Sequence, residues 1–117
     1  MTETVIDRSV FDGLKDSVGE DFIGELVGTF GEEAPTMIEN MRHALSVQDA
    51  DVFRREAHSM KTNAATFGAI GLADLAKKLE YLARENQLNQ VGDQLEELEG
   101  MYQTARDELE RLSDGGE

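Results

Sequence analysis

The sequence predicts an all-α protein, an antiparallel four-helix bundle with a short additional N-terminal helix. Three observations carry that expectation. Apolar residues recur at three- and four-residue spacing from Val10 to Leu112, the 117 residues contain one proline, and glycines at 19, 68 and 71 fall where one periodic run stops and the next begins.

Each element follows from its own run. Val10, Phe11, Leu14 and Val18 predict a short first helix closed by Gly19. A longer helix is expected from Asp21 or Phe22 to Leu45, with Ile23, Leu26, Phe30, Met37, Met41 and Ala44 along its buried stripe. Pro35 lies inside it, and because proline lacks the backbone donor and crowds the preceding turn, a kink is expected near residues 31–34. In the third helix Phe53, Ala57, Met60, Ala64 and Phe67 form the core stripe, with Asp49 or Asp51 as the cap and Gly68 as the end. The fourth buries Leu72, Leu75, Leu79 and Leu82 and stops near Asn86. Leu88, Val91, Leu95, Leu98, Tyr102, Ala105, Leu109 and Leu112 predict one continuous last helix of about six turns. The chain thus divides into an N-terminal helix and cap (1–19), a bundle (21–112) and a flexible tail (113–117) within one domain, the first helix lying as a lid over one end.

Composition narrows the function. The net charge of −14 argues against nucleic acid, whose phosphates select basic surfaces. No apolar run reaches 18 residues and no basic, apolar leader opens the chain, so a cytoplasmic location without membrane insertion is expected. The absence of cysteine removes disulfide, thiolate and Cys-metal chemistry. A di-iron bundle needs paired Glu-x-x-His motifs, and neither His43 nor His58 has a glutamate three residues before it, so no metal site is expected. His43 reads as a solvent-facing residue.

The charge is uneven. Residues 1–53 carry three basic and twelve acidic side chains (net −9), residues 54–84 six and three (net +3), and residues 85–117 two and ten (net −8). The positive island surrounds His58. Arg54, Arg55, His58, Lys61, Thr62 and Ala65 share the face beside the third helix's core stripe, which brings the imidazole to water with an ammonium one turn on. A neutral imidazole is a nucleophile near pH 7, and Lys61 can offset incoming negative charge, so the pair suits phosphoryl acceptance.

The segment Ala57-His58-Ser59-Met60-Lys61, Gly68 ten residues after the histidine, and Leu79-Glu80 on the next helix together resemble the histidine-containing phosphotransfer (HPt) domains of two-component signalling. The likeness extends from about Asp21 into the last helix. It implies a helical phosphorelay carrier that takes a phosphoryl group from a receiver domain's aspartate onto His58 and passes it to another. Partners implied are response-regulator receivers, a hybrid sensor histidine kinase, or both. Mg²⁺ is expected only in the receiver, and no cofactor in this chain. With no glycine-rich phosphate loop, autonomous kinase activity is not expected, and the carrier should be monomeric. Thr62 departs from the family pattern, which has glycine there, and puts the closeness of a partner's approach in doubt.

Lys77, Glu80 and Arg84 form a polar stripe at i, i+3 and i+7, outside the core and able to face His58 across the groove between two helices. The resemblance implies that Glu80 hydrogen-bonds and orients the imidazole. A solvent salt bridge with Lys77 or Arg84 is the other reading of the same spacing. Lys61 is the expected phosphate-facing cation, Arg84 a second, and Arg54, Arg55, Thr62, Ala65, Lys77 and Arg84 the candidate partner-binding residues. Arg54 and Arg55 could equally pair with Asp51. Two alternatives stay open: an acceptor served directly by a histidine kinase's ATP-binding domain, suggested by Glu80 and Thr66-Phe67-Gly68, and a non-catalytic helical adaptor in which His58 is incidental.

Overall fold

Asp7 starts the first helix. In the computed structural model, which describes residues 5–114, its carboxylate accepts the amides of Ser9 at 3.0 Å and Val10 at 3.4 Å, two of the free donors that open any helix. Helix α1 runs Arg8–Val18, α2 Glu20–Ser46, α3 Ala50–Phe67, α4 Ile70–Arg84 and α5 Gln94–Ser113, with a 3₁₀ turn at Leu88–Gln90. There is no strand among the described residues. The four long helices form the antiparallel bundle and α1 packs across α2 and α3.

The core follows the predicted stripes with a shift in register on two helices. All five stripe residues of α3 are buried, as are all eight from Leu88 to Leu112. On α2, Leu26 and Met37 are only partly buried, and Val27, Ala34 and Ile38 take the inner positions. On α4 the same happens to Leu75 and Leu82, whose expected places go to Ala73, Ala76 and Ala83. A helix in a bundle packs against several neighbours, so its inward arc is wider than one stripe and its centre can be small residues. Phe30 anchors the middle, stacked on Phe67 at a centroid distance of 5.2 Å and edge-on to Tyr102 at 5.5 Å.

The last helix is shorter than its apolar period implies. Leu88 and Val91 are buried from the 3₁₀ turn, Gly92 takes a positive φ of 54°, and α5 begins only at Gln94. A three-residue apolar spacing fits a 3₁₀ turn as well as an α-helix, so periodicity alone could not separate them. Ser113 ends α5 and Asp114 caps it, so the first two residues of the predicted tail belong to the helix end, and residues 115–117 lie outside the described ones.

Pro35 sits within α2, which is helical on both sides of it. It has no N–H to offer the Gly31 carbonyl four residues back. The hydroxyl of Tyr102 on α5 donates to that carbonyl instead, at 3.2 Å, so a neighbouring helix supplies the missing bond. Gly68 ends α3 in the left-handed region at φ 84°, its N–H bonded to the carbonyls of Ala64 and Ala65. A Cβ there would meet the Asp7 carbonyl oxygen at 2.8 Å, so both the conformation and the space require glycine.

Candidate functional site

The α3 and α4 backbones approach more extensively than any other pair of helices. The reason lies in small side chains: Ala57 and Ala64 on α3, and Ala73, Ala76 and Ala83 on α4, are all buried. Close backbones let polar side chains at the groove's edge reach across it.

Asp49 caps α3 by accepting the Val52 amide at 3.1 Å. Asp51, the other candidate cap, instead holds Arg54 at 2.9 Å and Arg55 at 3.4 Å. Arg54 pulls its carboxyl below the ordinary aspartate value, helped by the charge of Arg55. Both arginines are therefore partly neutralised within the helix, as the spacing allowed. One to two turns on, His58 projects with 55% of its side chain exposed.

Glu80 is the correction to the predicted polar stripe. Expected outside the core, its side chain is 5% exposed, and it is the one buried charged residue among those described. Its carboxylate meets three donors. Oε2 lies 2.9 Å from His58 Nδ1 and 3.1 Å from Arg84 Nη2, and Oε1 lies 2.8 Å from Lys61 Nζ. The contact to the imidazole and the contact to Arg84 thus occur together. Lys77 makes no ion pair with it among the described residues. Burial pushes the Glu80 carboxyl up, but the hydrogen bonds from Lys61 and His58 and their charges outweigh this and leave it below the ordinary glutamate value.

An ionised carboxylate can only accept, so Nδ1 of a neutral His58 must carry the ring proton and donate it to Oε2. Nε2 is then the atom with a free lone pair. Lys61, the expected phosphate-facing cation, is paired with Glu80 while 30% of its side chain is exposed. Thr62, Ala65 and Lys77 are exposed on the same side of the bundle, and His43 is exposed on α2 as expected. Asn63 is turned back onto its own helix, donating to the Ser59 carbonyl at 2.8 Å. Tyr81, exposed next to Glu80, escaped the sequence reading because one aromatic on a charged face breaks no helical period. No group of three or more His, Asp or Glu side chains among the described residues is arranged to hold a metal ion. None of the described helices is long and apolar enough to cross a membrane.

A helical bundle presenting a half-exposed imidazole on a buried carboxylate is the arrangement that the resemblance to phosphotransfer domains implies. The family model for the Hpt domain matches residues 25–112, and the chain belongs to that family. It is similar to the phosphorelay protein LuxU of Vibrio harveyi, 24% identical over 107 residues that cover 92% of this chain and 94% of the relative. It also superposes on the crystal structure of histidine-containing phosphotransfer protein B (HptB) from Pseudomonas aeruginosa PAO1 with a TM-score of 0.90. In that pair the identity is 26%, with 99% of this chain and all of the other covered. Histidine phosphotransfer in a phosphorelay is the function these likenesses support.

Proposed function

We propose that His58 is the phosphoryl acceptor and that this chain relays the group between receiver-domain aspartates. The observation that carries the reading is the 2.9 Å contact between Nδ1 of a half-exposed His58 and the buried Glu80 carboxylate. That contact fixes the tautomer and leaves Nε2 facing out as the nucleophile. In the transfer, the Nε2 lone pair attacks phosphorus, a P–N bond forms, and the P–O bond to the receiver's aspartate breaks with the electron pair leaving on the carboxylate. The ring keeps its Nδ1 proton and becomes cationic, a charge that Glu80 is already placed to balance. Onward transfer is the same step in reverse.

Lys61 and Arg84 supply the remaining charge. Both are more than a quarter exposed while paired to Glu80, so each can take a phosphoryl oxygen as a second anionic partner. Arg54, Arg55, Thr62, Ala65 and Lys77 frame the histidine as the partner-binding surface, and the receiver brings the acidic pocket with its Mg²⁺. The chain works as a cytoplasmic monomer. Relatives matched over nearly their whole length, and described as a phosphorelay and a phosphotransfer protein, favour the relay over an acceptor fed directly by a kinase and over an inert adaptor.

The test is a screen of radiolabelled phosphoreceivers, followed by chemical typing of the transferred label. Acid-labile, alkali-stable label should appear on the wild type and on His43→Gln, and be absent from a folded His58→Gln. Label retained on His58→Gln would overturn the assignment.

A further inference from the structure

Five large apolar side chains are exposed among the described residues: Val5, Phe22, Val47, Ile70 and Tyr81. Tyr81 alone among them has cations a turn away on both sides, Lys77 and Lys78 before it and Arg84 after, with Glu85 also a turn beyond. It is 53% exposed, and its hydroxyl has no partner within the described chain. Tyr81 is also continuous with the site. Arg84, one turn from it on α4, bonds the same Glu80 oxygen that accepts from His58. A half-exposed aromatic ring framed by charge is costly to leave in water and well suited to a protein interface, where tyrosine and arginine dominate the binding energy.

We infer that Tyr81 is the aromatic anchor of the partner-docking surface, extending it from the α3 face of His58 onto the outer face of α4. The occupant is an acidic receiver domain. Its carboxylates complement the net +3 of residues 54–84, which stand between segments of net −9 and −8 and give an acidic partner one favourable side to approach. The ring supplies contact area and the hydroxyl donates to a partner carboxylate. Among the described residues no hydrogen bond or ion pair joins the Tyr81 side chain to the imidazole or to its carboxylate partner, so its contribution belongs to binding and not to the transfer step.

This inference rests on the phosphotransfer reading, and kinetics separate the two. The probe is the radiolabelled receiver that charges wild-type His58, varied in concentration against each variant. Tyr81→Ala should raise KM about tenfold with kcat unchanged, the scale of a central interface aromatic. Tyr81→Phe, which keeps the ring, should raise it about threefold, and Phe22→Ala, on α2, should leave it unaltered. A wild-type KM in Tyr81→Ala, or a fall in kcat at constant KM, would overturn the anchor while leaving the phosphotransfer reading intact. A wild type that takes label from no receiver overturns that reading and the anchor with it.

Discussion

The α3–α4 pair and the α2–α5 pair solve the same packing problem with opposite materials. Between α3 and α4 the buried residues include five alanines, the backbones come close, and a charged group, Glu80, is buried with His58, Lys61 and Arg84 around it. Between α2 and α5 the contact is aromatic, with Phe30 edge-on to Tyr102, and the ionic contact is Arg42 to Glu99 at 2.9 Å, where both side chains remain more than a third exposed. Large side chains fill space but hold helices apart. Small ones bring backbones near enough for side chains to meet across a groove, so the cluster of His58, Lys61, Glu80 and Arg84 sits on the alanine-lined side.

The comparison is most strongly broken at the aromatic junction. Phe67→Ala removes a ring stacked on Phe30 and should cost about 3–5 kcal/mol in denaturant unfolding. A loss below about 1 kcal/mol would mean that the junction of Phe67 on α3 with Phe30 on α2 contributes little. On the alanine-lined side, Glu80→Ala leaves Lys61 and the Nδ1–H of His58 without their buried acceptor and should cost about 1–3 kcal/mol. It should also slow transfer more than Glu80→Gln, whose amide oxygen still accepts from Nδ1. Acid sharpens this prediction. The Glu80 carboxyl lies below the ordinary glutamate value when folded, so its stabilisation is present above about pH 4.5 and disappears as pH falls through the lowered value. Stability measured from pH 7 down to 3 should therefore fall less in Glu80→Gln than in the wild type. The smallest effect is expected for Tyr102→Phe, which keeps the ring but removes the donor to Gly31, at about 1 kcal/mol in thermal or denaturant unfolding.

Most of this architecture was legible in the sequence because helix periodicity and capping are local signals. The stripe of α3, its glycine end and the exposure of His58 follow from residue types a turn apart. What stayed hidden depended on two helices at once. The burial of Glu80 required knowing how near α3 comes to α4, and nothing in a stripe of Lys77, Glu80 and Arg84 separates a polar edge from a charge tucked beneath one. The start of α5 was misread for a different reason, since Leu88 and Val91 keep the period while Gly92, at a positive φ, lies between the 3₁₀ turn and α5. Tyr102 looked like an ordinary core residue, because its bond to Gly31 repairs a defect 71 positions away.

Gly68 carries a consequence for the extent of the folding unit. The family-defining segment begins at residue 25, yet the Gly68 carbonyl accepts the amide of Asp7 at 2.8 Å, and Val10 packs where a Cβ at 68 would stand. The helix that carries His58 is thus pinned at both ends, by Asp49 at its start and by the turn that opens α1 at its finish, roughly 15 Å of helix beyond His58 at about 1.5 Å per residue. Helix ends fray when their last carbonyls and amides face only water. With fraying suppressed at each terminus, the imidazole is carried on a rigid strut, and the N-terminal helix, although remote from the imidazole, is part of what holds the His58 helix in place.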